Sequence, residues 1–515
     1  MTQSSSRNVV IPPMDEYNQA LIQNVHPNDW QNPRPQAQYD LVVIGSGTAG
    51  LVVAKGAAGL GIGLKVALIE KHLMGGDCLN VGCVPSKTII RSGRAAASML
   101  QSMPYGVQPP DEVHVDFPAV MRRVRKVRAD ISPVDSAAGA AKAGVDMFLG
   151  HAHFVSPDCI QVGDANLHFK KAVIATGGRA VRPNIEGIDA AGYLTNETVF
   201  NLTEQPKRLA VIGGGPIGCE LAQSFRRLGT EVVLFHRHGH LLNKEDPDAA
   251  DIVQRAMVNE GMQLVLNSRL TRVTATPEGK QIAYESNGQP GTIVVDEILV
   301  GAGRAPNVDG LGLDKAGVEY DERHGVAVDD MLVTTNPKIF AAGDICMGWK
   351  FTHAADAAAR IVIKNALFSP FGLGRSKLSD LVMPWVTYTD PEVAHVGLYD
   401  NEAQERGYDI NTIKIDFDDV DRALAEGDSE GFLKITHKRG SDEILGATIV
   451  APHAGEMISE ITTAIVHKIG LSKMSSVIHP YPTEAEAIKK AADAYRRTLL
   501  TPRSKALLGI LAKFA

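Results

Sequence analysis

Cysteine is scarce in this chain, with five in 515 residues. So few cannot staple a chain of this size, so a disulfide scaffold is excluded and any disulfide is expected to be catalytic. Aromatic residues make up only 5%. Long apolar runs are lacking as well: the most apolar stretch, 41–64, is broken by seven glycines and Lys55. That texture suits a strand–turn–helix and not a lipid-facing helix. Neither sign of charge dominates, because 52 Lys and Arg against 59 Asp and Glu leave −7. A chain-wide nucleic-acid surface is thereby excluded, and no nucleic-acid partner is expected. The first 37 residues show neither the apolar core of a secretory signal nor the Arg-rich pattern of a transit peptide. A cytoplasmic location is the expectation.

What is present is a globular composition, 44% apolar and 22% charged, long enough for three or four domains or subdomains. Residues 1–38 are rich in Ser, Asn, Gln and Pro and read as an irregular arm. At Tyr39 the texture changes to a continuous apolar run, Tyr39 to Ile44, as in a buried parallel strand. The glycine loop Gly45-Ser46-Gly47-Thr48-Ala49-Gly50 follows at once, then an Ala-rich helical segment and a strand from Lys65 to Ile69 ending in Glu70. The same order recurs 168 residues later. Arg208 to Ile212 runs into Gly213, Gly215 and Gly218, a helix opens, and Glu231 to Phe235 closes the unit. After Ser376 come strand-like segments at 432–436 and 444–450, then helical patterns at 453–468 and 483–497. The fold class is therefore α/β: two Rossmann-like dinucleotide-binding domains plus a C-terminal α+β domain. The boundaries expected are 39–187 and 306–375 for the first domain, 188–305 for the second, 376–500 for the third and 501–515 for a tail.

A lone G-x-G-x-x-G is weak evidence, but the first loop follows a strand, opens a helix and has an acid about 20 residues on. Gly45, Gly47 and Gly50 let the backbone approach a pyrophosphate at the helix N-terminus, and Glu70 is placed for a ribose hydroxyl. In the second unit the acid is missing, and His236-Arg237-His238 stands where it would be. A carboxylate there would repel a 2′-phosphate, whereas Arg237 and a protonated His236 would attract one, so NADP is favoured over NAD. His236-x-His238-x-His240 also has the spacing of a metal site. The adenosine ribose is expected at that place, and no metal is assigned.

Between the two units lies Gly75-Gly76-Asp77-Cys78-Leu79-Asn80-Val81-Gly82-Cys83-Val84-Pro85-Ser86-Lys87. Cysteines five apart meet only across a distorted first helical turn, which Gly82 permits, and a helix N-terminus favours thiolates. Structural zinc would need two more ligands, and none lies nearby. This segment resembles the flavin-dependent pyridine nucleotide–disulfide oxidoreductases, and the resemblance runs from about Tyr39 to Pro502. Ala175-Thr176-Gly177-Gly178 and Gly301-Ala302-Gly303-Arg304-Ala305-Pro306-Asn307 look like the family's two interdomain crossings. Ile339-Phe340-Ala341-Ala342-Gly343-Asp344 looks like its second FAD motif.

The resemblance implies a homodimer binding FAD and a nicotinamide nucleotide. FAD contacts would come from Gly76, Ala152, Thr176, Gly177, Arg304 and Asp344 as well as the first loop, with Gly303 on the returning crossing. Electrons would pass from NADPH through FAD to a Cys78–Cys83 disulfide. Cys83 would face the flavin as thiolate, Cys78 would meet the substrate, and Lys87 would sit by the flavin paired to Glu220. Disulfide-reducing members carry a His with a Glu five residues on; here His479–Glu484 and Tyr481–Glu486 both fit that spacing. Aligning Pro-Thr with Pro-Thr favours Tyr481 and Glu486, as in the family's mercuric reductases. The stretches at 389–394, 422–425 and 451–456 resemble that branch as well. Its C-terminal cysteine pair and its N-terminal Cys-x-x-Cys domain have no counterpart.

Cys219 reads as a core residue, Cys346 as the other cysteine to watch for a redox role, and Pro216 replaces an aromatic often found after the second loop. The tail 504–514 reads as a short basic amphipathic helix packing on its own protein or on a dimer partner, with membrane-surface contact as the alternative. The reaction expected is reduction of a thiol-reactive metal ion such as Hg(II). One alternative is a disulfide substrate such as dihydrolipoamide, with His479 as base. The alternative from another class is a flavin-bearing redox sensor with negligible turnover.

Overall fold

A computed structural model describes residues 9–111 and 113–514. The Tyr39–Ile44 strand is central to the first sheet, and from Leu41 to Ile44 it is apolar because both of its faces are covered. It pairs in parallel with Val66–Glu70 (Leu41 opposite Val66) and with the C-terminal half of Ala165–Ile174 (Ile44 opposite Ile174). Val145–Leu149 extends the sheet beyond Val66–Glu70, and Ile339–Ala341 pairs with Ala165–Ile174 on the other side. The N-terminal half of Ala165–Ile174 turns into an antiparallel meander with Cys159–Val162 and Ala152–Ser156.

The second sheet repeats the parallel pattern in the order Gln263–Val265, Glu231–Phe235, Arg208–Ile212, Glu297–Val300. A three-stranded antiparallel meander, 268–295, is inserted before its last strand. The two interdomain crossings lie side by side as a short antiparallel ribbon, with Arg304 opposite Ala180 and Pro306 opposite Gly178. The third unit is a five-stranded antiparallel sheet, with Glu392–Gly397, Ile444–Ala451 and Phe432–Lys438 inside. Helices Ala454–Val466 and Glu486–Thr498 bury their apolar stripes, including Ile461 and Ile488, in one core with it.

One element differs from the sequence reading. Part of the expected irregular arm is a helix, Glu16–Val25, with Leu21, Ile22 and Val25 buried. Its apolar stripe spans barely one turn among polar residues, too short to register as a period. Asp15 caps it, accepting a hydrogen bond from Asn18 N at 3.0 Å. The tail forms the expected helix, Pro502–Leu511, and none of its residues is buried among the described residues.

Candidate functional site

The two glycine loops are built alike. Gly45 and Gly213 have φ of +97° and +118°, and a Cβ on Gly50 or Gly218 would lie 1.8 Å from the carbonyl oxygen of Gly45 or Gly213. Glycine there is what lets each helix close onto its strand. The middle glycines are different. A Cβ on Gly47 would meet only Gly76 Cα, at 3.7 Å, and one on Gly215 would meet nothing within 4 Å. Those two positions keep the loop surface clear for a ligand.

The first loop opens on a cavity of about 1400 Å³, larger than the roughly 300–1,000 Å³ of ordinary small-molecule sites. Glu70, Ala152 and Gly177 line it, as do Gly45, Gly47, Gly76, Thr176, Arg304 and Asp344, and it continues to Cys78, Cys83, Lys87 and Glu220. Glu70 accepts hydrogen bonds from Ser46 N at 2.8 Å and Ser46 Oγ at 2.9 Å. Arg304 bridges Asp344, at 3.0 Å, and Asp77 of the cysteine segment. A glycine-cleared loop, an acid at the strand end and a long cavity reaching the thiols fit a dinucleotide of the size of FAD.

Cys78 lies in a short helix, Gly76–Asn80, and Cys83 opens the long helix Cys83–Leu100. The expected distorted turn is thus a full break between two helices. Gly82 permits it, since a Cβ there would lie 2.8 Å from the Asp77 carbonyl oxygen. Both cysteines are free thiols. The Cys78 thiol donates to the Cys83 sulfur, which, with Thr352 and Lys87, pulls Cys83 down to about 6. The same bond, followed by burial, pushes Cys78 strongly up. Thr352 Oγ1 stands 3.3 Å from the Cys83 sulfur.

Lys87, one turn along the long helix, reaches Glu220 of the second glycine helix at 2.8 Å. Glu220 is 6% exposed, and its other oxygen accepts from Tyr388 N at 2.9 Å. The Tyr388 ring lies 4.3 Å from the Lys87 ammonium. Thr352 and Tyr388 went unread in the sequence because their roles depend on a fold-back of more than 160 residues, with no local motif to mark them.

Residues 39–359 match the pyridine nucleotide-disulphide oxidoreductases, and residues 383–492 match that family's dimerisation domain. The chain belongs to this family. As a pyridine nucleotide-disulphide oxidoreductase it is an FAD-dependent, NAD(P)H-using enzyme, and the dimerisation domain supports a homodimer. It is 35% identical over 455 residues to mercuric reductase of Lysinibacillus sphaericus, covering 88% of this chain and 82% of that one. It is 33% identical over 471 residues to dihydrolipoyl dehydrogenase of Thermus scotoductus, covering 89% and 98%. Among solved structures it resembles the Cu(II) complex of the HOCl-induced flavoprotein disulfide reductase RclA from Escherichia coli. That likeness has a TM-score of 0.77 and 27% identity over 89% of this chain and all of that one.

Several expected groupings in this oxidoreductase are not formed. His479 does not meet Glu484; its Nε2 lies 3.0 Å from Glu460, and Glu484 instead lies 3.0 Å from His453 Nδ1. Tyr481 does not meet Glu486 either: its hydroxyl donates to Asp421 at 2.8 Å, while the nearest cation to Glu486 is Lys490 at 3.9 Å. Helix Glu486–Thr498 starts at Glu486 itself, and Glu486 Oε2 is buried without a hydrogen-bond partner.

His236 is buried beneath the second loop and accepts a hydrogen bond from Gly214 N at 3.0 Å through Nδ1. Burial pushes its pKa down, so it braces the loop as a neutral ring and offers no cation to a phosphate. Arg237 is exposed on the surface beside it. Gly303 accepts from Val181 N within the ribbon of crossings. Cys219 is wholly buried, and burial pushes the Cys346 thiol up to about 12. Among the described residues no helix is long and apolar enough to cross a membrane.

Proposed function

We propose that this oxidoreductase passes electrons from NAD(P)H through a Cys78–Cys83 disulfide to a thiol-reactive metal ion such as Hg(II). One observation carries this reading: neither candidate His/Tyr–Glu pair in 479–486 is assembled, and the histidine of that segment is sequestered by Glu460. Stoichiometry makes that absence tolerable. NADPH + Hg(II) gives NADP⁺ + H⁺ + Hg(0), a reaction that releases a proton. NADPH + H⁺ + RSSR gives NADP⁺ + 2 RSH, in which a leaving thiolate must be protonated by a general acid. Mercuric reductase among the relatives supports a metal acceptor.

FAD, when bound, supplies two-electron transfer between the nicotinamide and the disulfide. Gly45, Gly47 and Glu70 would hold its adenosine diphosphate part and Asp344 its ribityl chain, with Lys87 and Cys83 at the flavin end. Cys83 is kept as a thiolate at neutral pH by the Cys78 thiol, and Thr352 and Lys87 add to that. Glu220 fixes the Lys87 ammonium, and Tyr388 covers it. Cys78 would present its sulfur to the metal ion, for which thiolates are the preferred ligands. Tyr481, 70% exposed, stands outward where a second copy's cysteines would meet it. Arg237 favours NADPH at the second loop.

A disulfide substrate is the second reading, and the His453–Glu484 pair favours it, since a largely exposed imidazole backed by a buried carboxylate is a usable acid. The deciding experiment is NADPH oxidation by the FAD-loaded protein with Hg(II)–thiol complex, Cu(II) and lipoamide as parallel acceptors. Metal-dependent turnover that falls at least 100-fold in Cys78→Ala is the expected result. Lipoamide turnover that collapses in His453→Gln, with no metal turnover, would replace the metal reading by the disulfide one. Reduction of the bound flavin without turnover on any acceptor would point to a sensor.

A further inference from the structure

The family match begins at Tyr39, and the segment before it reaches the cysteine loop directly at Met74 and indirectly through Arg128. Val25, the last residue of helix Glu16–Val25, accepts from Met74 N at 3.1 Å. Asn18 Oδ1 accepts from Arg128 Nη2 at 3.0 Å, and Arg128 Nη1 donates to the Asn80 carbonyl at 2.9 Å, two residues beyond Cys78. Asn80 in turn donates from its side chain to the Met74 and Gly76 carbonyls, at 2.9 and 2.8 Å. Asp15 balances the buried cations by pairing with Arg125 at 2.5 Å. The amide of Asn18 donates the other way, to the carbonyls of Ile11 and Pro13, and so holds Ile11 and Pro12 as a wall of the cavity.

We propose that Asn18 is a positioning residue for the Cys78–Cys83 pair, acting through Arg128. Arg128 is 1% exposed, and its Nε already lacks a partner. Removing the Asn18 acceptor would strand a second buried N–H, so the guanidinium must shift to find another partner. Its only bond to the loop is the one to the Asn80 carbonyl, at the C-terminal end of the turn that carries Cys78. A cation there caps the turn's free carbonyls. Released from that cap, the turn loosens, and Cys78 is held less firmly at the distance and direction a disulfide requires. The disulfide becomes easier to reduce while the chemistry of both sulfurs is unchanged.

This inference rests on the Cys78–Cys83 pair forming a disulfide, and the test separates the two. The dithiol–disulfide equilibrium of the full-length, FAD-loaded protein is measured in dithiothreitol redox buffers, with acid quench, alkylation and mass spectrometry of the 76–87 peptide. Asn18→Leu is expected to move the equilibrium at least threefold toward the dithiol. Asn18→Asp keeps an oxygen for Arg128 but loses the donors to Ile11 and Pro13, so it should lie closer to the wild type than Asn18→Leu does. Leu21→Ala weakens the same helix through packing alone and should leave it within twofold. If the wild type forms no disulfide, the redox reading itself falls and this inference with it. If the disulfide forms and Asn18→Leu stays within twofold, or Leu21→Ala shifts it equally, the segment is only a brace and the inference is overturned.

Discussion

A single hydrogen bond divides the labour between the two thiols. The Cys78 thiol donating to Cys83 lowers one pKa and raises the other, so at neutral pH one sulfur is ionised and its neighbour is not. Because Cys83 is lowered to about 6, its thiolate should persist above that pH and disappear as pH falls through it. Site-resolved iodoacetamide labelling of the reduced protein against pH measures this midpoint. Lys87 attracts the thiolate and Glu220 repels it. Lys87→Met should therefore raise the midpoint and Glu220→Gln lower it, each by about one unit; shifts of the same sign would contradict the charge argument. At the other nucleotide loop Arg237 is the exposed cation that stands where a 2′-phosphate would lie, because His236 is committed to Gly214. A charge-assisted bond to a 2′-phosphate contributes roughly 1.5–3 kcal/mol. Arg237→Ser should raise the KM for NADPH about tenfold or more and leave that for NADH unchanged, as steady-state kinetics with both nucleotides would show.

The glycine loops show how one residue type serves two purposes within an element. Gly50 and Gly218 are packing glycines, with the carbonyl oxygen of the loop's first glycine 1.8 Å from where a Cβ would sit. Gly50→Ala should cost about 1–3 kcal/mol of stability in urea unfolding. Gly215 faces open space, and a Cβ on Gly47 would make only an ordinary contact, with Gly76 Cα at 3.7 Å. Gly47→Ala should leave apoprotein stability unchanged and weaken FAD retention, read as flavin fluorescence released on dilution. Gly215→Ala should likewise raise KM for the nicotinamide nucleotide alone. Equal stability losses in the packing and the open positions would refute this division.

At the scale of the whole molecule, the face that bears residues 477–481 is uncovered. Ile478 is 92% exposed, and Val477 and Tyr481 are exposed beside it, on a unit that matches the family's dimerisation domain. Such a run of apolar side chains is expected to be covered by a second copy. Ile478→Glu should yield a monomer by sedimentation that still binds FAD but oxidises NADPH with a metal acceptor at least 100-fold more slowly. A dimer of full activity would show that the face lies outside the interface. The helix Pro502–Leu511 that leaves the same unit has no buried residue among the described ones.

Features written into contiguous backbone were readable from residue order alone. Each glycine loop between strand and helix, the five-residue spacing of Cys78 and Cys83, and the acid at the end of Val66–Glu70 announce their geometry because neighbours in sequence are neighbours in space. The Lys87–Glu220 pair was within reach only through family resemblance, since 133 residues separate its members. Other pairings were open until the chain closed on itself. His479 and Tyr481 each had a glutamate at matching spacing, yet packing gave them Glu460 and Asp421 and left Glu484 to His453. His236 looked like a cation and became a neutral brace because the fold buries it. Short-range sterics and backbone hydrogen bonding act before tertiary structure exists, so residue order encodes them directly. A carboxylate's partner is whichever charge the fold brings within about 3 Å, and that depends on every turn in between.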